Sequence, residues 1–405
     1  MQNRTKIFRL EGKVQHYAWG GHQFIPGLLH QSNPANQPFA EYWMGAHDNA
    51  PSNIILPEGE KKALNEFIQS NPSQILGEPV SKRFGRLPYL FKVLDVKDML
   101  SIQVHPSKEA AETGWKEENK LEKPLNAADR NYKDDNHKPE LLYALSEFWL
   151  LHGFKSPEKL IITLQQVPEL QFLLPIFDKN DYAEVYRIVM SMEQAEVNSH
   201  LQPLLGRIVP MYKKGQLQKQ QEDFWAARAA TLFNKGDQID RGIFSIYLFN
   251  LVRLNVGEVI FQHAGIPHAY LEGQNMELMS NSDNVLRGGL SNKHIDVKEL
   301  MKHIKFEPTI PQLVKGKQPT KSETCFQVPA PDFELHEIIT GSNGDITIDT
   351  ITADIFFVYK GSVSIMTEDG PLQFQSGEAF LATAGAQFRL QSGQQAQIFR
   401  ATVPD

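Results

Sequence analysis

The 405-residue sequence has one cysteine, Cys325, which excludes an intrachain disulfide and a cysteine-built zinc finger. A zinc site here must be assembled from histidine, glutamate and glutamine. No apolar run is long enough to cross a bilayer, and Met1-Gln-Asn-Arg-Thr-Lys leads into a strand-like segment without the basic, apolar, small-residue pattern of a leader. A cytoplasmic protein with no membrane partner is expected. Basic residues are the minority: the net charge of −7 disfavours nucleic acid as a partner, yet permits a local basic pocket for one phosphate. A glycine-rich phosphate loop and a dinucleotide fingerprint are both missing, so the expected ligand is not a nucleotide.

What the chain does contain is ordinary for a globular protein, with 41% hydrophobic and 22% charged residues. Its length exceeds what one core usually organises, so two or three domains are expected.

The most informative stretch is Leu100-Ser-Ile-Gln103-Val-His105-Pro106. Alternation of Leu100, Ile102 and Val104 has the period of a half-buried strand, which sends Ser101, Gln103 and His105 to the opposite face. Buried polar groups need partners. His105 and Gln103 are either hydrogen-bonded inside a sheet or ligands of a metal. Asn136-His137-Lys138-Pro139-Glu140 offers a carboxylate that would complete a hard and borderline ligand set. Gly257 to Tyr270 reads as strand, tight turn and second strand, with His268 and Tyr270 on one face.

Six motifs then follow one another in a recognisable order. They are Val14-Gln15-His16-Tyr17-Ala18-Trp19-Gly20, Glu41-Tyr42-Trp43-Met44-Gly45, Ser101-Ile-Gln103-Val-His105-Pro106, His137-Lys138-Pro139-Glu140, Pro267-His268-Ala-Tyr270 and Asp283-Asn284-Val-Leu-Arg287 with Gly289-Leu290. Together they resemble the type I mannose-6-phosphate isomerases of the cupin superfamily, from about Val14 to Lys293 and more weakly beyond. The resemblance implies one zinc ion per chain, held by Gln103, His105, Glu140 and His268. It also implies a sugar-phosphate substrate and conversion of mannose 6-phosphate to fructose 6-phosphate. The chain departs from the family pattern at Ala46-His47-Asp48-Asn49, where Asp48 adds a carboxylate.

Along the chain, short aromatic or branched segments come first: Ile7-Phe-Arg-Leu, Tyr17-Ala-Trp19, Tyr42-Trp-Met44 and Tyr89 to Asp95. Trp19 is read as the edge of a sugar pocket. Lys92, inside an apolar strand, must snorkel to solvent or face an anion. Glu118 to Asp135 is polar and charged, a lid or a solvated excursion. From Ser156 the period turns helical: Ser156 is an N-cap, Pro157 suits the first helical position, and Leu160, Ile161 and Leu164 follow at helical spacing. Prolines at 168, 175, 203 and 210 are expected to punctuate short helices. β-structure is expected to resume at Ile243. Glycine-punctuated hairpins after Ile355 resemble a second cupin jelly roll with no paired histidines, expected to be metal-free and structural.

The fold expected is therefore mainly β with a helical insertion. A catalytic cupin-like β domain spans 1–155 and 236–310, a helical domain 156–235, and a C-terminal cupin-like β domain 311–405. A monomer is expected. Aldose–ketose exchange removes a proton beside a carbonyl and returns it to the neighbouring carbon, and a metal can stabilise the enediolate that develops. Arg287 and Lys138 are the first candidates for catalysis, followed by Glu277 and Tyr270. Proximity to a cation would lower the Lys138 pKa toward that of a neutral base. The Arg287 fork suits a phosphate or an enediolate oxygen, unless Asp283 claims it as a salt bridge. Lys293, Lys92 and Ser101 are further phosphate candidates. Two other classes compete: a cupin oxygenase using iron or manganese, disfavoured by Gln103 and the Lys/Arg surroundings, and a non-catalytic sugar-phosphate sensor, disfavoured by Lys138, Tyr270, Glu277 and Arg287 occurring together.

Overall fold

The long strand His268–Ser280 is the hub of the molecule. Its first half pairs with Phe148–Phe154 and meets Gln103, and its second half lies between Tyr89–Val96 and Glu140–Ala144. The change of partners occurs at Gly273, whose φ of +129° and contact with Phe148 exclude a side chain: a Cβ there would lie 2.6 Å from the Phe148 ring. A computed structural model describes residues 6–341, 344–367 and 370–404 of the chain.

Among the described residues the strands form sheets of ten, nine and four. The ten-stranded sheet holds the hub strand with Glu41–Gly45, Val259–Gln262 and Leu286–Arg287 around it. The nine-stranded sheet belongs mostly to the last part of the chain, but Ile7–Glu11 adds antiparallel to Ala379–Ala382 inside it. Phe8 and Leu10 accordingly share one core with Phe91 and Val93 on one side and Phe357 and Leu381 on the other. The architecture is mainly β with a helical insertion, as expected.

The insertion contains Pro157–Gln166, Tyr182–Ser191, Gln194–Lys213 and Glu222–Phe233. Ser156 caps the first by accepting from the Lys159 amide, with Pro157 at the first helical position. Leu160, Leu164, Val185 and Trp225 pack with Trp149, Leu151 and Leu271 of the sheet, so the insertion shares the barrel's core.

Four sequence expectations differ from the structure. Pro203 and Pro210 lie inside the single helix Gln194–Lys213 and do not end it. Tyr17-Ala-Trp19 is a turn after the short strand Lys13–Gln15. Gly242–Leu248 is helical, and the strand begins at Phe249. Every residue of that helix is buried, Ser245 included, so the sequence carries no polar face whose period could tell helix from strand. The ladder at Gln103 is only two residues long, although Ile102 and Val104 are fully buried as their alternation implies.

The polar stretch after Glu118 is tied down. The buried Glu118 carboxylate accepts from the Asn131 and Tyr132 amides, and the Tyr132 hydroxyl donates to Glu299 at 2.6 Å. No helix among the described residues is long and apolar enough to cross a membrane.

Candidate metal centre and substrate cavity

His105, Glu140 and His268 reach one point from three separate strands or their ends. Register brings them there: Gln103 stands opposite both His268 and Arg287, and antiparallel partners directly opposite share a face. Glu140 opens its strand next to the hub, opposite Met279. One ligating atom from each of His105, Glu140 and His268 lies within 4.8 Å of the others, and all three residues are buried.

Hydrogen bonding decides what these atoms are prepared to bind. Nδ1 of His105 donates to the Asn284 carbonyl at 2.9 Å, and Nδ1 of His268 to the Ile266 carbonyl at 3.0 Å. Carbonyls only accept, so each Nδ1 carries the proton. Burial pushes the His105 pKa down to about 4, which leaves its Nε2 as a bare lone pair. That Nε2 is buried without a hydrogen-bond partner, 3.4 Å from one Glu140 oxygen, while His268 Nε2 lies 3.2 Å from the other. Burial opposes ionisation of Glu140, yet Lys138 and His105 hold its pKa well below the usual carboxylate range. Electron pairs converging in this way call for a cation, and imidazole with carboxylate is a zinc-type donor set.

The centre opens into a cavity of about 590 Å³. Gln103, Glu140 and His268 line its floor, with Tyr270 and Glu277 farther along the hub strand, while His105 sits behind Glu140. The Tyr270 hydroxyl is 3.5 Å from Glu140, and burial followed by Glu277 and Glu140 keeps it firmly protonated. Lys138 Nζ is 2.5 Å from Glu140 Oε1. Trp19, Ser101 and Lys92 border the same space. Lys92 is buried and does not snorkel: it lies 3.1 Å from Glu277 and 3.4 Å from Glu41, with its ammonium over the Trp43 ring. Burial would lower its pKa, but Glu41 and Glu277 together hold it above the ordinary lysine value. For Glu277 burial wins over Lys92 and the carboxyl pKa is raised.

Arg287, the cross-strand neighbour of Gln103, and Lys293 also line the cavity. Asp283 does not claim Arg287; it pairs instead with His47, at 3.3 Å, and accepts from the Asn49 side chain at 3.1 Å. Burial lowers the pKa of both cations, and Arg287 lowers that of Lys293 further. Neither has an ion-pair partner among the described residues.

Sequence reasoning missed Glu41, Trp43 and the His47–Asp283 pair. Glu41 and Trp43 meet Lys92 and Glu277 across strands far apart in sequence, and His47 and Asp283 come from loops just as distant, although Glu41 and Trp43 fall inside a motif already singled out. It also missed Leu232 and Phe233, through which the helical insertion contributes to the cavity wall.

Comparison with known proteins bears on the same residues. The family description "Phosphomannose isomerase type I, catalytic domain" matches residues 7–157. The mannose-6-phosphate isomerase of Escherichia coli strain K12 is 39% identical over 383 residues, covering 92% of this chain and 94% of that one. The chain belongs to the type I mannose-6-phosphate isomerases. The human mannose-6-phosphate isomerase is 32% identical over 432 residues, covering 98% of each chain. A solved Salmonella typhimurium mannose 6-phosphate isomerase, bound to substrate and zinc, superposes with a TM-score of 0.88 at 33% identity, covering 99% of this chain and all of that one. The isomerase family therefore accounts for the whole described architecture, the helical insertion and last β segment included.

Proposed function

We propose that the chain is a zinc-dependent aldose–ketose isomerase interconverting mannose 6-phosphate and fructose 6-phosphate through an enediolate. The observation that carries this reading is one cavity lined by the Glu140 carboxylate and the His268 imidazole, with the bare His105 nitrogen 3.4 Å behind that carboxylate, and by two cations, Arg287 and Lys293, that have no ion-pair partner among the described residues. Gln103, His105, Glu140 and His268 would hold the ion. Bound zinc supplies Lewis-acid polarisation of a sugar carbonyl and the adjacent hydroxyl.

The chain's own groups supply the rest. Lys293 and Arg287 receive the anionic end of the substrate, with the Arg287 fork also reaching the oxygens on which charge develops. Lys92 and Ser101 line the approach, and Trp19 with Trp43 walls the sugar. Glu277 moves the proton from C2 of the open-chain aldose to C1: burial raises its basicity, while Lys92, 3.1 Å away, favours the carboxylate form. Tyr270 remains protonated and donates toward the carboxylates. Lys138 balances the charge of Glu140 and lines the cavity, where it can pass a hydroxyl proton between O2 and O1.

We read the chain as 1–155 with 236–310 for catalysis, 156–235 as the helical insertion and 311–405 as the C-terminal β unit, with Ile7–Glu11 lent to the last. We place it as a monomer in the cytoplasm, a reading supported by its phosphorylated substrate and single buried cysteine.

The test is elemental analysis of the purified protein together with a coupled assay for fructose 6-phosphate formed from mannose 6-phosphate. Zinc with turnover is expected. Zinc without turnover would make the protein a sensor, and iron with oxygen uptake an oxygenase.

A further inference from the structure

The last β segment carries a second set of metal-ligating side chains that the isomerase chemistry does not use. Glu323 and Cys325 are two residues apart on Glu323–Phe326, and Glu334 and His336 are two apart on Glu334–Thr340. The strands are antiparallel with Cys325 directly opposite His336, so the period of two puts all four side chains on one face. Cys325 Sγ, a Glu334 oxygen and a His336 ring nitrogen lie within 4.8 Å of one another, the same span as the ligating atoms of His105, Glu140 and His268. Cys325 is 5% and His336 8% exposed, while Glu334 is half-buried and leaves an ion a way in.

Local polarity asks for more positive charge than the protein provides. His336 Nε2 is 2.8 Å from Glu334 Oε1. Nδ1 is 2.7 Å from Glu323 Oε1, but off the N–H direction, so this buried nitrogen has no hydrogen-bond partner. Arg400, from the neighbouring strand, is 3.4 Å from Glu323 and 2.7 Å from the buried Asp354. Three carboxylates, those of Glu323, Glu334 and Asp354, face two cations, the Arg400 guanidinium and the His336 imidazolium. A divalent ion that displaces a proton from the imidazolium and one from the thiol leaves the net charge of the cluster unchanged.

We propose that Cys325, Glu334 and His336 form a second divalent-metal site, distinct from the catalytic centre, with Glu323 steadying the imidazole from its other side. Thiolate, imidazole and carboxylate together select zinc, or cobalt in its place, over magnesium and calcium. Bonds to sulfur, nitrogen and oxygen form, two protons leave, and nothing is oxidised or reduced. The ion clasps two strands beside the Arg400 strand, a structural role. The expectation of a metal-free last segment rested on the lack of paired histidines, a criterion blind to a Cys/Glu/His set split between two strands.

The experiment strips the whole chain of metal with a chelator and titrates it with cobalt(II) alone. Cys325 is the single cysteine of the sequence and the catalytic donors contain no sulfur, so a thiolate-to-cobalt charge-transfer band can arise only here. The band is expected, with two cobalt equivalents taken up per chain. Cys325→Ser should abolish the band and remove one equivalent; His268→Ala should remove the other and keep the band. Lack of the band in the unaltered protein, its persistence in Cys325→Ser, or uptake that stops at one equivalent overturns the proposal. Should Cys325→Ser fail to fold, the band in the unaltered chain and its retention in His268→Ala decide the matter.

Discussion

At the residue scale, the proposed roles separate groups that would hold the metal from groups that would meet the substrate. His268 presents Nε2 to Glu140 at 3.2 Å and has its tautomer fixed by the Ile266 carbonyl. His268→Ala removes one donor from the centre and leaves Glu140 facing Lys138 and a single imidazole. Elemental analysis of that variant should show the catalytic zinc gone together with turnover, and a full equivalent retained there would take His268 off the ligand set. Arg287 and Lys293 should divide differently. Arg287→Ala keeps the zinc while kcat falls by about 10²-fold or more, as loss of a charge-stabilising donor does. Lys293→Glu raises KM more than it lowers kcat, because it acts on the bound anion and not on the reacting carbons. Near-normal turnover in the first, or an unchanged KM in the second, would reassign that residue. The convergence of His105, Glu140 and His268 was partly legible in sequence. Gln103 and His105 stand out by polar spacing within an apolar alternation, which by itself leaves sheet hydrogen bonding and metal ligation both open, and Glu140 stands out by its position after Lys138-Pro139. Glu41 offered no such sign, because nothing local distinguishes a carboxylate that will meet Lys92 across a sheet from one that faces water.

At the scale of elements, the hub strand does what no local pattern predicts: it changes sheet partners half-way along. The residue that permits this is Gly273, where φ is +129° and an added Cβ would press on the Phe148 ring and lie 2.7 Å from the Glu147 carbonyl oxygen. Gly273→Ala is expected to destabilise the fold by about 1–3 kcal/mol from backbone strain, with repacking of Phe148 adding to it. Chemical denaturation would measure this as a lower midpoint at unchanged slope. Since His268 and Tyr270 lie on one side of that glycine and Glu277 on the other, the same variant should also lose turnover; full activity and stability would show that the junction tolerates a side chain. Strands such as Tyr89–Val96 were readable from composition, and the first insertion helix from its Ser156 cap. The helix Gly242–Leu248 was not, since burial on every side erases the period that separates helix from strand.

For the molecule as a whole, burial of neutral histidines in one barrel makes stability depend on pH. His152 lies opposite His268 in register, has its Nδ1 2.7 Å from Gln262 Oε1, and is pushed by burial down to about 4. His105 is pushed down to about 4 for the same reason. Between the ordinary histidine pKa of about 6.5 and about 4, the unfolded chain takes up protons that the folded chain refuses. Stability is therefore lost as pH falls through that window and fully present above it, by up to about 3 kcal/mol for each histidine. Glu277 and Asp95, both raised by burial, pull the other way at the acid end, so the diagnostic quantity is a difference. Metal-free protein and its His152→Gln variant are compared by denaturant unfolding from pH 7 downward. The variant starts less stable because it loses the imidazole contacts, but its stability should fall less steeply with acid. Parallel pH profiles for the two proteins would mean that His152 takes up its proton as readily in the folded protein as in water, and its burial as a neutral imidazole would have to be given up.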